Sequence, residues 1–184
     1  RRFASTQYEI GGGYREEGLG GGALELWGEV QWFARENLTL QASFGWTDSR
    51  DWLIWDSGTR LGRYQREQLS TDLNIDWFPA PGHEFRVKLQ WLALSAFDAR
   101  AVRIGADGRL RASDEVLEDF VVDNLGLQLR YRWEFAPQSD LYVVYGRGGI
   151  VERGGRERDF VELLDEALQL RDADQVLVKV RRRF

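Results

Sequence analysis

Strict alternation of apolar and polar side chains is the feature that most constrains this chain. From Leu127 to Glu134 every second residue is apolar and every intervening residue is polar. Successive side chains of a β-strand point to opposite faces, so this pattern predicts a strand with one apolar face and one polar face. A short turn, "APQSD", follows, and the chain then becomes apolar again. The sequence predicts a hairpin and leaves open whether its apolar face meets a protein core or lipid.

The same alternation recurs along the chain and predicts about eight antiparallel strands in a meander. The clearest segments read GALELWGEVQW, LTLQASFGW, QLSTDLNIDW, EFRVKLQWLA and QVLVKVRRRF, and a weaker strand covers Phe3 to Ile10. We expect a single all-β antiparallel domain over residues 1–184. The chain has no initiator Met and no signal peptide, which indicates a processed or truncated product.

The predicted connections are of two kinds that alternate. "ARENL", "FPAPGHE" and "FAPQSD" are short turns, whereas residues 11–21, 47–66, 96–118 and 146–174 are predicted as long loops. Short periplasmic turns at one end and long outer loops at the other are typical of outer-membrane barrels. The third long segment predicts a small hairpin with its turn at Asp107-Gly108. The fourth predicts one short loop helix near 159–169 that packs as a cap.

Composition excludes several classes of protein. The chain has no Cys and a single His, which excludes disulfides, thiolate metal sites and multi-His metal centres. Its net charge of -5 gives no reason to expect nucleic acid as a partner. No apolar run approaches the ~20 residues of a membrane-spanning helix. We expect no metal, no cofactor and no enzyme activity, because no GxSxG motif is present and His83 lies in a short turn, where we expect it to be solvated.

Charged residues recur on the polar sides of the predicted strands. If the apolar sides face lipid, these charges line a wet lumen, and the reverse is disfavoured because an Arg or Lys facing lipid at mid-membrane costs about 2–4 kcal/mol. Simple pairing across the second short turn predicts Asp76 near Arg86. The predicted lumen-facing charges are Glu25, Glu29, Asp72, Asp76, Arg86, Lys88, Arg130, Arg132, Lys179 and Arg181.

Aromatic residues near the short turns favour the membrane interpretation, because Trp and Tyr prefer the membrane interface. The chain also ends on Phe184 after alternating apolar residues, which resembles the assembly signal of bacterial outer-membrane proteins. We predict that Val178, Val180 and Phe184 form this signal for the barrel-assembly machinery. The predicted interface aromatics are Trp32, Trp77, Phe85, Trp133, Phe135 and Tyr142.

The segments NLGLQLRYRWEFAPQSDLYVVYGRGG and VLVKVRRRF resemble the C-terminal part of a family of large, uncharacterised outer-membrane β-barrels. The matching features are the aromatic-Glu-Phe-Ala-Pro step from Trp133 to Pro137, the stretch from Ser139 to Tyr145, and the late strand Leu177 to Lys179. Full-length members carry an N-terminal module similar to carbohydrate-binding family 9. Members more often have an aromatic residue where this chain has Arg182. The resemblance implies an outer-membrane location and a link to glycans, and it supplies no catalytic residues. Together with the alternating loops and the interface aromatics, it predicts an antiparallel transmembrane β-barrel that is the C-terminal part of a larger barrel, with the N-terminal part of the parent protein missing.

Three functions follow as hypotheses. The first is a pore or surface scaffold of the bacterial outer membrane in contact with membrane lipid and lipopolysaccharide, with glycan handling or uptake implied by the resemblance alone. The alternative is a soluble eight-stranded lipocalin-like barrel whose apolar interior binds a small ligand. A second alternative is an outer-membrane enzyme. For the first hypothesis we predict that Leu40, Phe44, Leu73, Val87, Leu89, Leu127 and Leu129 lie on the outside, and that Gln41, Asp72, Lys88, Gln128 and Arg130 face inward.

Overall fold

The protein is an all-β antiparallel meander with one short helix. A computed structural model describes residues 5–155 and 159–183. Its strands pair in the order β1-β2-β3-β4-β5-β7-β8-β9, with the short β6 beside β5, and within the described residues the sheet is open, with β1 and β9 as its edges. The elements are β1 (Ser5–Glu17), β2 (Gly21–Arg35), β3 (Leu38–Ser57), β4 (Arg60–Trp77), β5 (His83–Ile104), β6 (Leu110–Ala112), β7 (Phe120–Ala136), β8 (Ser139–Gly154), α1 (Phe160–Ala167) and β9 (Ala173–Arg181).

The three predicted short turns are confirmed. They connect β2 to β3, β4 to β5, and β7 to β8, and all three lie at one end of the sheet, which we call the turn end. The opposite end, where β1 meets β2 and β3 meets β4, is the loop end. The eight long strands match the predicted number, and β6 is the added ninth strand of the described chain.

Two of the four predicted long loops are wrong. Residues 11–17 and 47–57 continue their strands, and so do residues 60–66 on the return. Both hairpins close in tight turns at glycines with positive φ, Gly18 and Gly20 in the first and Gly58 in the second. These extensions cannot be recognised from side-chain alternation, because strands pair through backbone hydrogen bonds whether or not their side chains alternate. Polar or glycine-rich pairs therefore extend a hairpin without the period-two pattern.

The other two long segments contain the predicted hairpin and helix, but their first parts are strand, since β5 continues to Ile104 and β8 to Gly154. β6 pairs with the end of β5, and Gly108 adopts φ 74° at the predicted turn. The helix α1 begins after Asp159, whose carboxylate accepts a hydrogen bond from the Val161 N–H at 2.9 Å. Leu163 and Ala167 of α1 are fully buried against the sheet. The predicted cap helix is confirmed. No helix in the described residues is long and apolar enough to cross a membrane.

Strand register aligns the alternation of neighbouring strands, so the sheet has one apolar face and one polar face. A single row of paired positions defines the apolar face from β2 to β9. This row consists of Trp32, Leu40, Ile75, Val87, Leu129, Tyr145 and Val176.

The packed core lies toward the loop end on both faces. On the apolar face, α1 packs Leu163 against Trp91 and Leu125. On the polar face, Tyr64 packs with Leu94 and Ala96, and the segment that precedes β7 covers this cluster. Toward the turn end, no described residue covers the apolar face. Large side chains there are well exposed, including Trp32 at 47%, Leu129 at 39% and Val178 at 63%.

Candidate functional site

Every charge predicted to face a lumen lies on the polar face. The register shows this directly, because Asp76 pairs with Arg86 and Arg86 pairs with Arg130, while Arg132 and Lys179 flank the same position of β8. Acidic positions concentrate on β2 and β4, and basic positions concentrate on β5, β7 and β9. The polar face is therefore divided into an acidic and a basic sector.

Glu84 is the centre of the basic sector, and the sequence analysis missed it. Its side chain is only 10% exposed and lies 2.5 Å from both Arg86 Nε and Arg130 Nη2, with Arg132 Nη1 at 3.8 Å. Arg86 and Arg130 face each other on neighbouring strands, and like charges in that position are destabilising. Glu84 offsets this repulsion. The sequence contains a signal for this contact, because Glu84 lies two residues before Arg86 and therefore on the same face of the strand.

The predicted pair of Asp76 and Arg86 is present, with Oδ1 and Nε 3.1 Å apart. Both side chains are nearly half exposed, at 44% and 47%. Arg86 therefore bridges a solvent-accessible carboxylate and a nearly buried one.

Asp140 ties the last three strands together at the turn end. This carboxylate is fully buried, accepts a hydrogen bond from Arg132 Nε at 2.8 Å and also pairs with Arg181. Arg132, Asp140 and Arg181 come from β7, β8 and β9 in turn. Close by, Ser139 Oγ accepts a hydrogen bond from the Arg183 N–H at 3.2 Å. The polar face thus holds the C-terminal strand by ion pairs.

The acidic sector is held by amides and one arginine. Gln41 Nε2 donates to Glu29 at 3.0 Å, and Gln90 Nε2 donates to Asp72 at 2.6 Å. Arg15 Nε donates to Glu25 at 2.8 Å. Each contact crosses between strands on the polar face, so these acidic side chains are held without the cluster of arginines that surrounds Glu84.

A ladder of aromatic contacts crosses β4, β5 and β7 on the apolar face at the turn end. Neighbouring ring centroids are 4.5 to 6.0 Å apart, within the usual range for aromatic pairs. Four of the predicted interface aromatics belong to it. In order, its members are Trp77, Phe85, Tyr131, His83, Trp133 and Phe135.

His83 is a correction to the sequence analysis, which predicted a solvated residue. Its ring stacks between Tyr131 and Trp133, and Nδ1 lies 2.8 Å from the Tyr131 hydroxyl. The residue is the first of β5, so strand pairing rather than the turn determines its surroundings. The sequence contains a signal for this position, because His83 lies two residues before Phe85 and therefore on the same apolar face.

Tyr142 is the second correction. The sequence predicts an interface aromatic here because Tyr142 follows a short turn. In the structure, Tyr142 pairs with Arg132 and Lys179 on the polar face. Its ring centroid lies 5.8 Å from the Arg132 guanidinium carbon. The alternation of Leu141 and Val143 on the apolar face requires this orientation.

Phe184, the end of the predicted assembly signal, lies outside the described residues.

The loop end holds a separate buried carboxylate. Asp51 is fully buried and accepts hydrogen bonds from the Leu19 N–H at 2.6 Å, the Gly21 N–H at 3.2 Å and Arg63 Nη2 at 3.0 Å. Burial opposes ionisation of this group, but the hydrogen bonds from Arg63 and the backbone outweigh it and lower the pKa of Asp51. A Cβ at Gly18 would collide with Asp51, which explains the glycine there.

No protein-family model matches this chain, and no curated protein shows a significant match to it. The resemblance carried by the C-terminal segments therefore stays a hypothesis. Within residues 5–155 and 159–183, no group of three His, Asp or Glu side chains is arranged to hold a metal ion.

Proposed function

We propose that this chain is a transmembrane β-barrel segment of a bacterial outer membrane and that its polar face lines a water-filled pore. The observation that carries the proposal is the uncovered apolar face at the turn end. On β3 the apolar positions of this face run from Leu38 to Trp46, and on β4 they run from Leu69, which borders the cluster under α1, to Trp77. These lengths fall in the ~9–11-residue range of a spanning strand. Asp48 faces Glu67 just beyond, where the apolar positions end.

The borders of this belt support lipid as its cover. The aromatic ladder lies at the turn end, as expected for a membrane interface. In the proposed orientation the turn end is periplasmic, and the extended hairpins and α1 lie outside. Strand edges in lipid would leave backbone groups unsatisfied, so the function requires β1 and β9 to be paired in the closed barrel. Val178 and Val180 on the apolar side of β9 fit the proposed contact with the assembly machinery.

The position of α1 disfavours the soluble lipocalin-like alternative. That alternative encloses the apolar face, yet α1 packs on this same face against Trp91 and Leu125. An eight-stranded barrel has an interior just wide enough for side chains, whereas a helix with its side chains is about 10–12 Å across. With the apolar face outward, α1 packs outside the barrel without steric conflict.

The exposure of the charges on the polar face of this open sheet fits the proposed water-filled lumen. Lys88 is exposed, and the side chains of Asp76 and Arg86 are nearly half exposed. A dry interior would require each charge to be buried and paired. The extended hairpins at the loop end also fit a surface scaffold, and the link to glycan uptake rests on the family resemblance.

Detergent dependence and bilayer conductance test the proposal together. We expect the chain to need detergent to stay monodisperse and to conduct ions in planar bilayers. Arg86→Ala should shift selectivity toward cations, because it removes positive charge beside Asp76 and Glu84. Arg109→Ala, at the β5–β6 turn, is the matched control and should leave selectivity unchanged. A chain that is monodisperse in buffer and inert in bilayers would contradict the proposal.

A further inference from the structure

A row of amide side chains crosses the polar face from one edge of the sheet to the other. Register places one residue of each long strand side by side, about 4.8 Å apart, and we call these positions the amide row. Lys88 and Gly146 occupy the row on β5 and β8. Its amides are Gln7, Gln31, Gln41, Asn74, Gln128 and Gln175.

Much of the hydrogen-bonding capacity of this row is unused. The Gln41 side chain donates to Glu29, but in the described part of the chain the side-chain amides of Gln31, Asn74 and Gln128 make no hydrogen bond to another residue. Each primary amide has two N–H donors and one acceptor oxygen. A solute lying along the row therefore meets donors and acceptors at every strand, with little net charge.

Trp27 provides a second, independent feature of the same face. It is opposite Gly11 on β1 and Gly45 on β3, and a Cβ at Gly11 would collide with its ring. The indole therefore lies across the Gly11 backbone while 43% of the residue stays exposed. It precedes Gln31 by four positions, which is about 13 Å along a strand, with Glu29 between them.

We propose that the amide row, Glu29 and Trp27 form a binding surface for a neutral polyhydroxylated solute of disaccharide size or larger. A sugar ring has an apolar C–H side that packs on an open indole and hydroxyls that both donate and accept hydrogen bonds. Aromatic surface combined with a few convergent polar groups is typical of small-molecule sites. Passage of such a solute rests on the proposed pore, whereas binding does not.

Saturation-transfer NMR on the chain in detergent, with sucrose as the probe, tests the binding step. We expect transfer from the protein to sucrose, an affinity about tenfold lower in the double variant Gln31→Ala/Gln41→Ala, since the two amides on the Trp27 side of the row lose their hydrogen bonds, and a similar loss in Trp27→Ala. Gln169→Ala removes an exposed amide bonded to Asp165 outside the row, and it should bind like the parent chain. Far-ultraviolet circular dichroism checks that each variant keeps its strands.

Liposome swelling in sucrose separates this inference from the pore itself. Variants of the row should slow sucrose entry while ion conductance in bilayers persists. If conductance is present but neither saturation transfer nor sucrose entry responds to the row or to Trp27, the binding surface is refuted and the pore stands. If the row variants lose sucrose binding in detergent but the parent chain does not conduct, the pore is refuted and the binding surface stands.

Discussion

The two ends of the sheet use the same alternating pattern but are covered differently. Near the loop end, α1 covers the apolar face, and the segment before β7 packs its Leu117 against the cluster on the polar face. Near the turn end, Trp32, Leu129 and Val178 stay exposed. Alternation thus determines that a strand forms and which side chains share a face, but not what covers that face. In the function proposed above, lipid covers the turn end, and the length and aromatic border of this face support that proposal.

Buried carboxylates have different partners on the two faces of the sheet. At the loop end, Asp123 is buried beneath α1, where it accepts a hydrogen bond from Trp91 Nε1 at 2.7 Å. At the turn end, Glu84 and Asp140 are buried among arginine side chains on the polar face. Apolar packing under α1 is thus confined to the loop end, whereas buried carboxylates paired with arginine occur at both ends, Asp51 with Arg63 at the loop end and Glu84 with Arg130 at the turn end.

The largest expected effect is at the packed end. Leu163→Ala should destabilise the docking of α1 by about 2–5 kcal/mol, because the side chain is fully buried against Trp91 and Leu125. Val161→Ala is the control, since this residue is 76% exposed and should change stability by less than about 0.5 kcal/mol. Hydrogen exchange of residues 160–167 measures both. Equal protection in the two variants would show that α1 is not held by this contact.

The next effect tests the uncovered end. In lipid, Leu89→Arg should cost about 2–4 kcal/mol, the range for an Arg facing the bilayer middle. Gln90→Arg, one residue along on the polar face, is the matched control and should cost little. Denaturant unfolding in lipid vesicles measures the difference. A Leu89→Arg chain as stable as Gln90→Arg would mean that this face contacts water.

A smaller effect separates the two acids that share Arg86. Glu84→Gln should cost about 1–3 kcal/mol, because it leaves partly buried arginines without their charged acceptor. Asp76→Asn should cost about 0–1 kcal/mol, the range for an exposed pair. Thermal unfolding in detergent compares them. If Asp76→Asn were the more damaging change, the polar face would be drier than the exposed fractions of these side chains indicate.

The last prediction concerns the protonation of Asp51, which changes stability only in acid and not at neutral pH. Its pKa in the folded chain is lowered, so its contribution to stability is complete above the unfolded pKa of about 3.9 and is lost as pH falls through the folded value. We expect exchange at the Leu19 and Gly21 amides to accelerate in acid below about pH 4. Asp51→Asn should remove most of this pH dependence, and Asp165→Asn on α1 should not. A pH-independent rate at these amides would contradict the role of Asp51.

The sequence was sufficient to predict the strands, the turn end and the polar-face charges, because all three depend on period-two alternation. It predicted the pairing of Asp76 with Arg86 since they flank one short turn. It missed Glu84, whose role depends on arginines of both β5 and β7, and Asp51, whose role depends on contacts from β2, β4 and the turn between β1 and β2. It also misplaced Tyr142 and His83, because closeness to a turn does not determine which face of the sheet a side chain lies on. The extended hairpins were missed because their strands do not alternate.

The central claim is that the apolar face at the turn end contacts lipid, and its most direct test is a lipid-quenching scan along β5. The native chain has no Cys, so single variants Val87→Cys, Lys88→Cys, Leu89→Cys and Gln90→Cys can each carry one fluorescent label. In vesicles of brominated lipid, we expect strong quenching at 87 and 89 and weak quenching at 88 and 90. Quenching that is absent, uniform, or strongest at 88 and 90 would contradict the account.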